Sequence, residues 1–355
     1  MIKDLCFEII ERCPNNCLFC SSRSSYDKQN IISFNKFKEV IDYFSSNGGI
    51  EELSLSGGEP MLHKDIYKMI LYAKQKNIRV VLFTSGLKKM IVNDSALKTI
   101  EVERQKDLES VLKIEPDNSF LIESINKHYD SLIKLQLQPF SSISKSDFKL
   151  LKEAGLFKIV FDMQAYTSEV DNYLMGRNHM NRCNVLDSIY NASLSDILVD
   201  IHFVPMRPNV KELPELISLL SLININQINI LKFVPQGRGR DNEEQLKLSD
   251  EELMKFLNLL REYIKKYDIN VRIGIPLMEE NSHKCTAGLQ KLDIKFDGTV
   301  LPCPAFKEID ALEAKSLSIK LPNIYDNLED ISVLGYGTRN EPLCRKLYQK
   351  NKTFY

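Results

Sequence analysis

Six short apolar runs recur along the first two thirds of the chain: Leu5–Ile10, Leu53–Ser56, Arg79–Phe83, Phe157–Asp162, Ile197–Pro205 and Gln227–Val234. Stretches with helical spacing lie between them. Phe37, Val40, Ile41 and Phe44 fall at i, i+3, i+4 and i+7, and that pattern stops near Gly48-Gly49. Ile66, Met69, Ile70 and Ala73 repeat it after the second run. Ser144 with Asp147 suits a capping box for a helix that runs to Ala154 and ends at Gly155. Short apolar strands that alternate with helices need parallel neighbours and crossover connections, so they build one mostly parallel sheet. The expected fold is therefore α/β, a partial (β/α)6 barrel of the TIM-like kind.

Two departures from the rhythm shape the rest. From about Leu87 to Ser142 there is no clear strand, although Ser119–Leu137 has helical spacing. A βα unit needs far fewer residues than this, which marks residues 88–142 as a helical insertion. Past the sixth run, Ser249 and Glu252 cap one more helix, to about Lys266. From about Asn281 the style changes, and Asp293–Cys303 carries Asp297-Gly298 between two extended runs, a hairpin signal. The expected organisation is a barrel over 1–240 and a linker helix with a small hairpin/helix domain over 241–355.

Chemistry concentrates at the start. Cys13, Cys17 and Cys20 crowd into eight residues directly after the first strand. A loop that follows a strand of a βα series lies at the carboxyl mouth of the sheet, where such folds carry their active sites. Thiolates ligate iron–sulfur clusters, and four close a cubane. Three leave one iron open to an outside ligand, as a catalytic metal site does. A zinc knuckle that borrows a distant fourth ligand is the competing reading.

The whole-chain composition sets few further limits. The net charge of −1 gives no broad basic field for nucleic acid or an anionic membrane, and no apolar run is long enough to span a bilayer. Without an export signal, a cytoplasmic location is expected. There the 8 cysteines stay reduced and read as metal ligands or core residues.

Cys13-x3-Cys17-x-Phe19-Cys20 after strand one, Gly57-Gly58-Glu59-Pro60 after strand two and Thr84-Ser85-Gly86 after strand three, in that order, resemble the radical S-adenosylmethionine superfamily. The resemblance runs over roughly residues 4–240. It implies a [4Fe–4S] cluster on the three cysteines, with S-adenosylmethionine chelating the open iron. It implies Phe19 near the adenine, and Gly57, Gly58, Glu59 and Pro60 around the methionyl ammonium, with Ser85 beside them. The ribose contact falls on Asp162 in Val160-Phe161-Asp162-Met163, although Val160 and Met163 depart from the usual run. Arg177 follows Gly176 where the superfamily has the arginine first, so a contact to the cofactor carboxylate and a solvated loop arginine both stand.

A second set of cysteines resembles the auxiliary-cluster domain of the SPASM/twitch type. Cys285 and Cys303 flank the hairpin, Gly298 precedes Cys303 by five residues, and Pro235-Gln236-Gly237-Arg238 fits the loop that commonly leads into that domain. Only Cys344 follows, so the resemblance implies the short form: one further [4Fe–4S] cluster on Cys285, Cys303 and Cys344. His283, a carboxylate, water or substrate remains for the fourth position. A buried apolar thiol at Cys344, with zinc or nothing in the appendage, is the alternative. Of the remaining cysteines, Cys6 is expected in the core, and Cys183 is either inert or a hydrogen-atom donor near the mouth.

Three functions compete. The first modifies a ribosomally made peptide by crosslinking, epimerisation or oxidation. Strand one begins at about residue 4, so the insertion or a separate partner would have to bind that peptide. The second dehydrogenates a small molecule such as a sugar or aminocyclitol. The third is a sensor with a degenerate site, against which the complete motifs argue. For the enzymes, a reducing partner such as flavodoxin or ferredoxin is implied.

Overall fold

The computed structural model describes residues 2–90, 94–267, 269–273, 287–308 and 321–333, leaving aside the side chains of 135 and 136. The six expected strands are β1 (Asp4–Ile10), β2 (Glu52–Gly57), β3 (Arg79–Thr84), β6 (Leu156–Asp162), β7 (Leu198–Phe203) and β8 (Gln227–Ile230). They pair in parallel in that order. Three more strands join the same sheet: β9 (Val271–Ile273) pairs in parallel with β8, β10 (Lys291–Ile294) in parallel with β1, and β11 (Val300–Leu301) antiparallel with β10. The hairpin turn between β10 and β11 contains Gly298 at a φ of +87°. Sequence reading missed β9, and it missed that β10 extends the main sheet.

Alternation along the strands separates two faces. Leu5, Phe7, Leu53, Leu55, Val80, Leu82, Ile159, Phe161, Val199, Ile201 and Ile228 are all buried and register-matched on one face. That face takes the helices. Phe7 stacks on Phe37 of α1 (Phe34–Ser46), and Phe203 stacks on Phe256 of α11 (Asp250–Tyr267). α2 (Ile66–Gln75), α5 (Lys145–Ala154), α6 (Ser168–Met175), α7 (His179–Ser193) and α8 (Leu213–Ser221) complete the helices of the repeat. Each such apolar side chain contributes about 1.5–3 kcal/mol by leaving water. Right-handed crossovers that put successive helices on one side curl a parallel sheet towards a barrel. The caps lie where the sequence put them: Ser144 and Asp147 form a reciprocal box, and Gly155 closes α5 at a φ of +103°.

Residues Lys88–Ser141 form a compact unit of their own. β4 (Leu87–Lys89) and β5 (Phe140–Ser142) make a two-stranded sheet, and α3 (Asp94–Ile114) and α4 (Ser119–Gln136) make a helical hairpin. Arg104 holds the hairpin through Asn126 and Asp130, and Tyr129 donates to Asp107 at 2.6 Å. Past β8 lie two short turns, α9 (Arg238–Asp241) and α10 (Glu243–Leu246), and α12 (Glu329–Val333) is last among the described residues. No described helix is long and apolar enough to cross a membrane.

Candidate active site

At the carboxyl end of β1 the chain enters the three-cysteine loop. Cys13 is buried, and Cys17 and Cys20 are half-buried. The end of α6 braces the loop: the amides of Asn16 and Leu18 donate to the carbonyls of Met175 and Leu174 at 3.1 and 2.9 Å. Gly176 lies in the left-handed region at a φ of +59°, and a Cβ there would stand 2.6 Å from the Asn16 carbonyl oxygen. Only glycine permits that approach.

The thiols feel one another. Burial pushes Cys13 well up, with Cys17, Glu59 and Cys20 adding to it. Burial and Cys20 push Cys17 up in the same way, and Arg177 and Arg238 pull against them. Cys13 and Cys17 thus resist ionisation unless a cation compensates, which suits a donor set for a metal cluster. Among the described residues no three His, Cys, Asp or Glu side chains converge on a single-ion site. A cubane does not require that convergence, because each thiolate ligates a different iron.

The loop after β2 approaches the same place. Cβ atoms on Gly57 and Gly58 would meet the carbonyl oxygens of Ile10 and Arg12 at 2.3 and 2.2 Å, so both positions demand glycine. Glu59 is fully buried and accepts four hydrogen bonds. Its Oε1 takes the amide of Met61 at 2.9 Å and the Thr84 hydroxyl at 2.7 Å. Its Oε2 takes the amide and the hydroxyl of Ser85 at 2.6 and 2.5 Å. Pro60 opens a short 3-10 turn, Pro60–Leu62, that presents the Met61 amide. The carboxylate therefore ties the end of β2 to the end of β3 and fixes Ser85. Burial pushes its pKa up to about 7, against the pull of the four hydrogen bonds.

The third wall comes from β6 and α6. Arg177 is no solvated loop arginine, because its side chain and that of Asp171 are both 0% exposed. Its Nε and Nη2 donate to the Asp171 carboxylate at 2.7 and 2.8 Å. Nη1 is buried and has no partner, as do both polar side-chain atoms of Asn15. Two of these orphans, Arg177 Nη1 and Asn15 Nδ2, are donors near Cys17, and buried donors without partners suit an anionic guest. Asp162 is enclosed by protein yet 45% exposed, as a side chain in a concave mouth is. Desolvation raises its pKa to about 6, with Arg177 pulling down. His202 of β7 stands across from it, 4.0 Å from Nδ1 to Oδ1, and packs on Phe83. Desolvation lowers this histidine to about 4, which keeps the imidazole neutral.

The other expected residues divide. Phe19 packs with Leu174, Met206, Phe233 and Leu246 in an apolar cluster beside the loop. Cys303 is half-buried and follows β11. Cys285, Cys344 and His283 lie outside the described residues. Cys6 is not a core residue of the helix side: it points to the other face, with Sγ 3.3 Å from the Ser56 hydroxyl. Cys183 lies 3.6 Å from His179 Nε2, whose Nδ1 meets Ser168 Oγ at 3.0 Å. Sequence reading did not find Asp171, His202 or Asn242. Nothing in the local sequence marks the first two, and Asn242 lies just past the Gln236-Gly237-Arg238 stretch.

Comparison with known proteins agrees with this arrangement. Residues 7–101 match the Radical SAM superfamily. An S-adenosylmethionine-dependent nucleotide dehydratase of Selenomonas ruminantium is 27% identical over 78 residues, which is 22% of this chain and only 28% of the relative's length. Among solved structures, Streptococcus suis SuiB bound to S-adenosylmethionine superposes with a TM-score of 0.63 at 14% identity, covering 98% of this chain and 72% of SuiB. Native anSMEcpe with bound AdoMet gives 0.60 at 15%, covering 95% and 81%. Both proteins are also matched with peptides bound. At these identities the likeness is one of fold. The superfamily match falls on the stretch that holds the three-cysteine loop and Gly57-Gly58-Glu59-Pro60.

Proposed function

We propose that this chain is a radical S-adenosylmethionine enzyme whose Cys13, Cys17 and Cys20 hold a [4Fe–4S] cluster. The observation that carries this reading is the meeting of the three-thiol loop, the Glu59–Ser85 knot and the orphaned Arg177 Nη1 at one mouth. Once reduced by its external donor, a cluster held there would supply the single electron needed to cleave the sulfonium of S-adenosylmethionine reductively, for hydrogen-atom abstraction from substrate. The protein's share is positioning and exclusion of water. Arg177 Nη1 suits the cofactor carboxylate, held ready by Asp171. Gly57, Gly58 and the Glu59 carboxylate suit the ammonium, Asp162 the ribose, and Phe19 the adenine side of the pocket. The neutral His202 stands 4.0 Å from Asp162.

A peptide is the favoured substrate, supported by the peptide-bound neighbours and by the separate helical hairpin at 88–141, which offers further binding surface. The nucleotide dehydratase relative favours a small-molecule substrate as the second reading. We place a second cluster on Cys285, Cys303 and Cys344, a flavodoxin or ferredoxin as donor, and the cytoplasm as the location. The test is anaerobic reconstitution followed by dithionite and S-adenosylmethionine. The intact chain should show a cubane spectrum and release 5′-deoxyadenosine, and Cys17→Ala should do neither. Absence of both signals in the intact chain would refute the reading.

A further inference from the structure

The three-cysteine loop is gripped on its far side by the segment after β8. Gly237 turns there at a φ of +56°, and a Cβ on it would stand 2.4 Å from the Cys20 carbonyl oxygen and 2.6 Å from that of Ser21. This close approach brings in the next residues. The Arg238 amide donates to the Cys20 carbonyl at 3.0 Å. Its Nε donates to the Cys17 carbonyl at 2.7 Å and its Nη2 to the Ser24 carbonyl at 2.8 Å. Asn242 Nδ2 reaches the Leu18 carbonyl at 3.1 Å and ties back to the Arg238 carbonyl at 2.8 Å. Asp241 then pairs with Arg23 on the loop itself.

Four loop carbonyls between residues 17 and 24 thus face donors from one short stretch. A loop without regular structure must find partners for its carbonyls or leave them to water. Here a single guanidinium spans two of them, seven residues apart in sequence. Its planar fork can do this, and a lysine's single ammonium cannot reproduce it. The guanidinium also keeps its charge under all conditions and sits against the peptide of Cys17, while the backbone amide of the same residue bonds that of Cys20.

We propose that Arg238 is the positioning residue of the three-cysteine loop: it holds Cys17 and Cys20 in ligating shape, and its charge makes the bound cluster easier to reduce. The inference rests on the radical S-adenosylmethionine reading. A cluster gains negative charge on reduction, and a fixed cation in a partly dry setting favours the reduced state. Outer residues of this kind govern both the affinity of a metal site and its potential.

The experiment uses the full chain, reconstituted anaerobically and desalted. Iron and sulfide are counted, cluster loss to a chelator is timed, and the midpoint potential is read by electron paramagnetic resonance during a dye-mediated titration. Arg238→Gln should lose its cluster about tenfold faster or more, and the surviving cluster should have a lower potential. Arg238→Lys should retain the potential and still lose the cluster faster. Gly237→Ala should lose it faster with the potential unchanged, because it displaces the loop without touching the charge. Unmodified loss rate and potential in Arg238→Gln would overturn the proposal. If that variant does not fold by circular dichroism, Arg238→Lys decides, and a cluster as durable as in the unmodified chain overturns it. Failure of the intact chain to take up a cubane would instead sink the functional reading itself.

Discussion

The pair of Asp171 and Arg177 allows a demanding test, because both side chains are fully buried and the arginine cannot lose its proton. Asp171→Ala removes two short charge-assisted hydrogen bonds, at 2.7 and 2.8 Å, and leaves a guanidinium whose Nη1 already lacks a partner. Stranding one member of a buried pair costs about 3–5 kcal/mol. A protein's whole stability is about 5–15 kcal/mol, so the loss should be large in urea unfolding at fixed pH. The double variant Asp171→Ala/Arg177→Met removes the stranded charge as well. Two charges out of water roughly repay their own desolvation, so most of the lost stability should return. Local effects should follow the same order. α6 ends in the Leu174 and Met175 carbonyls that hold the cysteine loop, so Asp171→Ala should also retain less iron after reconstitution. A loss under about 1 kcal/mol in the single variant, or a double variant no more stable than the single one, would refute the reasoning about a preformed, charge-balanced socket.

Glu59 predicts a pH dependence of definite sign. Its folded pKa of about 7 lies above the usual 4.5, so the folded chain binds this proton more tightly than the unfolded one. That contribution is full below 4.5 and is lost as pH rises through 7, a change of about 3 kcal/mol. The stability difference between the intact chain and Glu59→Gln should therefore move against the intact chain by that amount between pH 4.5 and pH 8, and a constant difference in urea melts would contradict it. Cys303→Ala should lower reconstituted iron to about one cubane per chain and leave some substrate-free cleavage, whereas about four irons in the intact chain would remove the auxiliary site altogether. Deleting 92–140 should spare substrate-free formation of 5′-deoxyadenosine and abolish substrate turnover; loss of both would make the unit structural.

What could be read in advance follows from how local each signal is. Leu5–Ile10 and Leu53–Ser56 announce strands because alternation and short apolar length are properties of a few neighbouring residues. The caps at Ser144 and Ser249 are legible because the bonds close within three residues. The three cysteines are legible because their spacing stands out in the sequence, and Gly57 and Gly58 because close backbone approach demands glycine there. The four donors that Glu59 accepts come from residues 61, 84 and 85, and the last two lie at the end of another strand, so no local pattern announces that knot. Arg238 acts on residues more than two hundred positions away, and no local pattern encodes that reach. Burial of Arg177 depends on Asp171, whose carboxylate is exceptional only because the fold has dried it.

The face of the sheet turned from the helices carries the last step. A closed barrel fills its interior with layers of branched apolar side chains. Here the same face holds Cys6, Glu8, Ser54, Ser56, Lys158, Asp162, Asp200 and His202 beside the apolar Val81, Phe83 and Val160. Several are locked together: Lys158 meets Asp200 at 2.9 Å, and Lys307, four residues past Cys303, reaches across to Glu8 at 2.5 Å and to Ser22 at 3.0 Å. Such pairs cost desolvation and give little net stability, so their presence on an inner wall is better explained by what they face than by what they hold together. A wall of this kind suits a polar guest. The Lys307 bridge also links the stretch after Cys303 to β1 and to the cysteine loop, so filling the mouth and seating that stretch draw on the same residues. The apolar helix side gives the chain its fold, and the other side concentrates its polar and ionisable groups.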